Sequence, residues 1–393
     1  MDLKKYLFSL EKKGINLGLE RTSELLKRCN NPHKKLKIIQ IVGTNGKGST
    51  SAILFKILQT NGYNVGLYTS PHLASFKERI RIDGKSIQDI YVNQFIQKYK
   101  LDIKELGASF FEVLTVMSVW FFEKLKADYA ILETGLGGRF DSVTACKATS
   151  FGITSISMDH NHILGNTLED ITKEKIAAIT NNSTVYISNQ EKHINSLIEF
   201  DCNKKNCNYK FVETNFNINL SLQGSHQKKN ASLAVAIAKD LNCNTLKINQ
   251  SLKKINWYGR NQIINKKPDI IFDVAHNEQG IESFLKYLDS LSKSYDKKYL
   301  LLSLQNKKDI KRCISGLERT FDKIIYSITN DEKSMPFDNV ERLFKNPIFI
   351  EKPKKAIDFT STIATKKDLI AIVGTHYWGN TISDIFNISF DII

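Results

Sequence analysis

The sequence predicts an α/β fold in two domains, and three observations carry that reading. Short apolar runs alternate with segments of helical period, as strands and crossover helices do in a largely parallel sheet. A glycine-rich turn, GTNGKGS at 43–49, joins one such strand to one such helix. Acidic and imidazole side chains stand where other strands end. Strands are placed at 37–42, 128–133, 150–157, 269–274, 298–303 and 369–373, each an apolar run of strand length. Helices are placed at 49–61, 112–125, 168–180, 227–241 and 280–291. The segment 256–267 contains Trp257, Gly259 and few helix signals, so the domains are expected at 1–257 and 258–393.

Composition narrows the function. A chain of 393 residues, 41% hydrophobic and 25% charged, is ordinary for a globular protein of two or three compact units. The longest apolar stretch, 113–122, is much shorter than the roughly 20 residues a bilayer requires. The N-terminus does not read as a secretory signal, so a cytoplasmic protein without a membrane partner is expected. Cysteines at 29, 146, 202, 207, 243 and 313 lack zinc-ligand spacing and are read as reduced thiols. The net charge of +15 comes mainly from Lys, because only nine of the 56 basic residues are Arg. The basic runs are short and not interleaved with aromatics, so no nucleic-acid partner is expected. The same field attracts anionic small molecules.

The chemistry concentrates in a few segments. In IIQIVGTNGKGSTSAILFKIL, Gly43, Gly46 and Gly48 let the backbone wrap an anion at a helix N-terminus, and Lys47 adds a cation. The strict phosphate-loop pattern fails twice, with Ile41 at the first Gly position and Gly48 between Lys47 and Ser49. A nucleotide triphosphate still fits it better than an ordinary turn does. Glu133, Asp159 with His160, and Asp273 with His276 all follow strands, where open α/β sheets bind ligands. Glu133, His160 and the Ser49 hydroxyl make a plausible Mg²⁺ site. ETGLGGRFD, at 133–141, adds a flexible loop with Arg139 as an anion fork and Asp141 as an acceptor. Lys175 falls on the apolar stripe of Leu168, Ile171, Ala178 and Ile179, where a cation must be neutralised, paired or modified, or must snorkel outward.

Together these motifs resemble those of the folylpolyglutamate synthase and dihydrofolate synthase family, within the Mur ligase superfamily. The match begins at NLGLER (16–21) and continues through GTNGKGS, TSPHL (69–73), FKERI (76–80), FFE (110–112) and ETGLGGRFD. It then takes in DH (159–160), LGNT (164–167), EK (174–175), GSHQKKNA (224–231), WYGR (257–260) and DVAHN (273–277). The resemblance implies an N-terminal phosphate-loop domain and a smaller Rossmann-like C-terminal domain. It implies an ATP-dependent ligase that phosphorylates a dihydropteroate or folate carboxylate and joins it to L-glutamate. Gly43, Thr44, Asn45, Gly46, Lys47, Gly48 and Ser49 would hold the phosphates. Asn230, Arg260 and Asp273 would reach the rest of ATP, and His276 the transferred phosphate. Ser49, Glu133 and His160 would ligate Mg²⁺, and a carbamylated Lys175 would engage a second metal ion. Ser70 and His72 would line the folate side, with Asp141 holding the pterin against Val143. A monomer is expected.

Departures from the family pattern fall away from the ATP motif. GGRFDSVT replaces the common GGRLDATN, Ile176 and Ala177 follow the EK pair where Ala-Gly is usual, Tyr258 replaces a linker Pro, and GTHYWGN stands near the C-terminus where a less polar stretch is usual. Two other readings are a Mur-type ligase for a non-folate acid, which TSPHL and the His226-Gln227 pair oppose, and a non-catalytic phosphate-loop regulator, which Glu133, His160, Lys175 and His276 oppose.

Overall fold

The computed structural model describes residues 3–11, 14, 18–306, 308 and 310–393, so Asn16 and Leu17 of the NLGLER motif lie outside the described residues. The chain divides into two compact units. The larger runs up to Ser221 and adds Lys228–Ile255 and Asp391–Ile393; the smaller takes Leu222–Gln227 and Asn256–Phe390. A single cut therefore does not describe the division, because two short segments belong to the unit opposite their neighbours.

Among the described residues the larger unit has eight strands: β1 (Lys37–Val42), β2 (Val65–Tyr68), β3 (Ile80–Ile82), β4 (Lys85–Ser86), β5 (Tyr129–Glu133), β6 (Ser150–Ile153), β7 (Thr184–Ser188) and β8 (Asn208–Val212). Their order is β4-β3-β2-β5-β1-β6-β7-β8, with β3 antiparallel to both of its neighbours and every other pair parallel. β1 lies at the centre, and all but its first residue are buried, as a strand covered on both faces requires. Ile38 and Val42 join the core formed with the helix Phe110–Lys124. On the opposite face Ile41 meets Gly152, beside Leu233 and Ile237 of the helix Ser225–Asp240.

The helix Phe110–Lys124 is apolar almost all round because it is buried almost all round. Its start is set by a capping box: Ser109 N donates to Glu112 Oε2 at 2.7 Å, and Glu112 N to Ser109 Oγ at 3.4 Å. Arg21 Nε donates to the same Glu112 carboxylate at 3.0 Å, tying the described end of NLGLER to the FFE motif. The edge strand β4 is paired by residues from the far end of the chain. Ser86 N donates to Asp391 O at 3.2 Å, Ile393 N to Gly84 O at 3.3 Å, and Lys85 bridges Ile392.

The smaller unit holds β9 (Gln262–Asn265), β10 (Asp269–Phe272), β11 (Lys298–Leu302), β12 (Lys323–Tyr326), β13 (Ile348–Phe349) and β14 (Leu369–Val373), in the order β13-β12-β11-β14-β10-β9. Only β9 is antiparallel. Its core joins Ile271, Leu300, Leu302 and Ala371 to Ile281 and Phe284 of the helix Glu278–Asp289. No described helix is long and apolar enough to cross a membrane. All six cysteines are free thiols.

Two predicted elements end early. The strand expected at 150–157 stops at Ile153, because Ser155 O turns to accept from Thr44 N at 2.8 Å and Asn45 N at 3.3 Å. The helix expected at 168–180 stops at Ile176, with Ile179 N closing a tight turn onto Ile176 O. Gly66 in β2 faces Phe122 so closely that an added Cβ would overlap the ring. Gly66→Ala is expected to destabilise the protein by about 1–3 kcal/mol, the usual cost of overpacking a filled core. Denaturant unfolding measures it, and an unchanged midpoint would show that the ring moves aside freely.

Candidate active site

The loop after β1 meets the helix Lys47–Thr60 at Gly46, whose φ of 90° suits glycine. A Cβ at Gly46 would also collide with the Asn230 side-chain amide, so Asn230 sits directly against the phosphate loop. Lys47 Nζ curls over the loop and donates to Gly43 O at 3.1 Å and Thr44 O at 2.9 Å. Asn45 Nδ2 donates to Ser157 Oγ at 3.3 Å. Ser49 Oγ, two residues beyond Lys47, is buried and has no hydrogen-bond partner among the described residues. A buried hydroxyl left this way is costly unless a ligand completes it.

Lys175 is buried, as its place on the apolar stripe predicts, and Nζ donates to Gly43 O at 2.8 Å. Its neighbour Glu174 holds the second glycine loop through Arg139: Arg139 N donates to Glu174 O at 2.9 Å, and Arg139 Nε to Glu174 Oε1 at 2.8 Å. The guanidinium expected to fork an anion is thus paired within the fold. Gly138 lies against the Lys175 and Glu174 carbonyls with no room for a Cβ.

Asp141 also differs from expectation. Its Oδ2 accepts from Gly135 N at 3.0 Å and Leu136 N at 2.8 Å, and its Oδ1 from Val143 N at 3.0 Å. Burial pushes its carboxyl up to about 6, against those donors and the Lys47 charge. Asp141 therefore organises its own loop through both carboxylate oxygens. Val143, expected as an apolar wall, is wholly buried in the core, and Ser142 Oγ lies 2.6 Å from Thr115 Oγ1. Sequence could not separate these roles, because a carboxylate among glycines serves a loop as readily as a ligand.

Glu133 ends β5 and is buried, with Oε2 accepting from Ser70 N at 3.0 Å. That bond brings the TSPHL loop to the end of the sheet. Three more donors of that loop, Leu73 N, Ala74 N and Ser75 N, converge on Glu78, whose carboxyl burial pushes up. His72 Nδ1 accepts from Arg79 Nε at 2.9 Å. His160 adopts a left-handed backbone, φ 53°, with its amide on Asp159 Oδ1 at 2.8 Å. Among the described residues no group of three His, Cys, Asp or Glu side chains is placed to hold a metal ion. Magnesium, however, is commonly held by one or two protein ligands together with substrate phosphates, and the Ser49 hydroxyl and Glu133 carboxylate suit that chemistry.

Within the smaller unit, Asp273 follows β10. It is buried and accepts from Asn261 N and Ala275 N, each at 2.7 Å, so both oxygens already support the turn. Burial raises its carboxyl, opposed by the charge of Arg260. Arg260 Nη1 donates to Gly259 O at 2.9 Å. His276 Nδ1 lies 2.9 Å from Val274 O, a carbonyl to which it can only donate. Sequence reading passed over His226 as a site residue. Burial and the Arg260 charge push its imidazole down to about 4, so it is neutral at ordinary pH.

No family model matches the chain. A folylpolyglutamate synthase of Candida albicans is 31% identical over 373 positions, which cover 82% of this chain and 72% of that protein. The chain belongs to the folylpolyglutamate synthase and dihydrofolate synthase family. A dihydrofolate synthase/folylpolyglutamate synthase of Bacillus subtilis (strain 168) is 29% identical over 425 aligned positions, covering 98% of this chain and 97% of that one. The solved structure of Escherichia coli FolC in complex with DHPP and ADP matches with a TM-score of 0.90 at 25% identity, over 98% of this chain and 97% of that one. The two-domain Mur-ligase-like fold of these ATP-dependent ligases is therefore the fold of this chain.

In this folylpolyglutamate synthase family member, Asp141→Ala removes the acceptor of three backbone donors at once. The variant is expected to lose about 3 kcal/mol or more of stability, on the order of 1 kcal/mol for each unpaired amide. The KM for ATP should rise along with that for the folate acceptor, because the loop packs on the lysine that holds Gly43. Thermal unfolding and steady-state kinetics check both. A stable variant with only its acceptor KM raised would return Asp141 to the pterin.

Proposed function

We propose that this chain joins L-glutamate to the carboxylate of a folate, using ATP, with dihydropteroate as one acceptor and the glutamate tail of reduced folates as another. The observation that carries the reading is the Ser49 hydroxyl, buried at the start of the helix that follows the Gly43–Lys47 loop and without a partner among the described residues. A carboxylate resists attack by an amine until it is activated. Transfer of the terminal phosphoryl group of ATP to the acceptor carboxylate gives an acyl phosphate and ADP. The glutamate amine then attacks the acyl carbon, phosphate leaves with the bonding pair, and the amine proton passes to solvent.

In this reading the larger domain binds the phosphates and the smaller, 258–393, serves glutamate ligation. Gly43, Thr44, Asn45, Gly46, Lys47 and Gly48 cradle the phosphates, and Lys47 exchanges loop carbonyls for phosphate oxygens. Asn230, Arg260 and Asp273 serve the rest of ATP, with Asp273 acting through the turn it supports. His276 offers Nε2 near the transferred group, while Ser70 and His72 line the acceptor side. Ser49, Glu133 and His160 would hold one magnesium ion, which supplies charge neutralisation for phosphoryl transfer. A carbamylated Lys175 would hold a second. The protein is read as a cytoplasmic monomer that takes small-molecule substrates and binds neither nucleic acid nor membrane.

The direct test is glutamate-dependent ADP release with dihydropteroate and with a reduced folate, products identified by mass. Release that ignores glutamate, or requires neither acceptor, would sink the proposal. Glu133→Gln and His160→Ala should each lower turnover by about a hundredfold or more while the fold persists, since electrostatic stabilisation dominates this chemistry. Near-normal turnover by either variant at ordinary Mg²⁺ would remove it from the metal set. For Lys175, wild type and Lys175→Ala are compared by NMR in ¹³C-bicarbonate. A carbamate resonance present only in wild type is expected, and active enzyme without one rules the modification out.

A further inference from the structure

Gln40 stands near the middle of β1, on the face that carries Ile38 and Val42 into the apolar core. Its side chain is wholly buried. An amide in such surroundings loses its water, so it persists where its hydrogen bonds serve something. Nε2 donates to Thr134 Oγ1 and to Thr144 Oγ1, each at 3.0 Å. Thr144 Oγ1 donates in turn to Gly138 O at 2.8 Å. Because that hydroxyl gives its hydrogen to a carbonyl, the atom facing it must be a donor, which settles the orientation of the Gln40 amide. Oε1 is buried with no partner among the described residues, an arrangement poorly suited to stability alone.

Hydrogen bonds and one close backbone contact lead around a closed path. Thr134 directly follows Glu133, and its amide donates to Ile41 O at 3.0 Å. Gly138 lies against the carbonyls of Glu174 and Lys175. Lys175 reaches Gly43 O, three residues beyond Gln40 on the same chain segment. The path therefore runs from β1 to the second glycine loop, to the helix Leu168–Ile176, and back to the phosphate loop.

We infer that Gln40 is a positioning residue which, through Thr134 and Thr144, sets Glu133 and the second glycine loop in place relative to the phosphate loop. This rests on the ligase reading above. Gln40 itself acts only through its neighbours. Thr144 is one of the departures from the common GGRLDATN pattern, so the Gln40–Thr144 contact is a pairing of this chain's own residues.

The test uses the full chain as wild type, Gln40→Leu, Thr144→Val and the double variant. Leu and Val keep the volume while removing the polar groups, and the double variant removes both partners of the Gln40–Thr144 bond, leaving only Thr134 Oγ1 and Gly138 O without the donors they had. Mn²⁺ is titrated in the presence of a non-hydrolysable ATP analogue, and turnover and thermal unfolding are measured alongside. The double variant should unfold within a few degrees of wild type, bind Mn²⁺ about fivefold or more weakly, and turn over about tenfold more slowly with the glutamate KM within twofold. The effects of the single variants on turnover should not multiply in the double, because both break one path. Folded variants with wild-type Mn²⁺ affinity and turnover would overturn the inference, as would single effects that multiply. The titration needs no turnover, so a wild type that fails to ligate glutamate defeats the ligase reading while the role of Gln40 is still decided.

Discussion

A lysine side chain buried in the larger unit, its Nζ donating to the carbonyl of Gly43, is the contact on which the arrangement of the phosphate loop depends. Removing a lysine from water is expensive, and the Gly43 carbonyl is one of the groups that offset the loss. The chain accepts this at a point where the next residue toward the N-terminus, Glu174, binds Arg139 of a different loop. Two glycine-rich loops, each pliable alone, are thereby clamped to one short helix. Preorganisation of this kind suits phosphoryl transfer, in which protein groups mainly position and neutralise.

Some polar residues of the motifs turn inward in each unit because nearby backbone amides need acceptors. Arg139, Asp141 and Asp273 are the types that bind anions, amines and ribose, and their place after strands invites that expectation. In the structure Arg139 is paired with Glu174, and the two aspartates hold backbone amides of their own turns. Loops rich in glycine carry many amide donors and few side chains, so a nearby carboxylate is drawn into satisfying them.

How far the fold was legible follows from periodicity. The strands Lys37–Val42 and Leu369–Val373 lie where their unbroken apolar runs place them, since strands buried on both faces show themselves as continuous runs. Val65–Tyr68, Thr184–Ser188 and Lys323–Tyr326 are not marked by the sequence alone because each is four or five residues long, too short for periodicity to separate strand from loop. Asn208–Val212 alternates exposed and half-buried residues at a sheet edge, a pattern that reads equally as loop. At the site, Ser49, Glu133 and Lys175 were marked by residue type and spacing. Gln40, Thr144 and Glu78 were not, because a polar residue inside a strand or after a loop shows its purpose only when its partners, distant in sequence, are brought beside it.

The pairing of residues 391–393 with the edge strand β4 bears on the order in which the molecule can be completed. Ribosomal synthesis delivers β1 through β8 first, then all of the smaller unit, and only afterwards the residues that cover Gly84 to Ser86. Until then the nascent larger unit presents an open sheet margin, the kind of surface that recruits stray strands. β4 is only two residues long and begins with a lysine, so little is offered to a stranger during that interval. The chain closes its own margin late and keeps it short meanwhile.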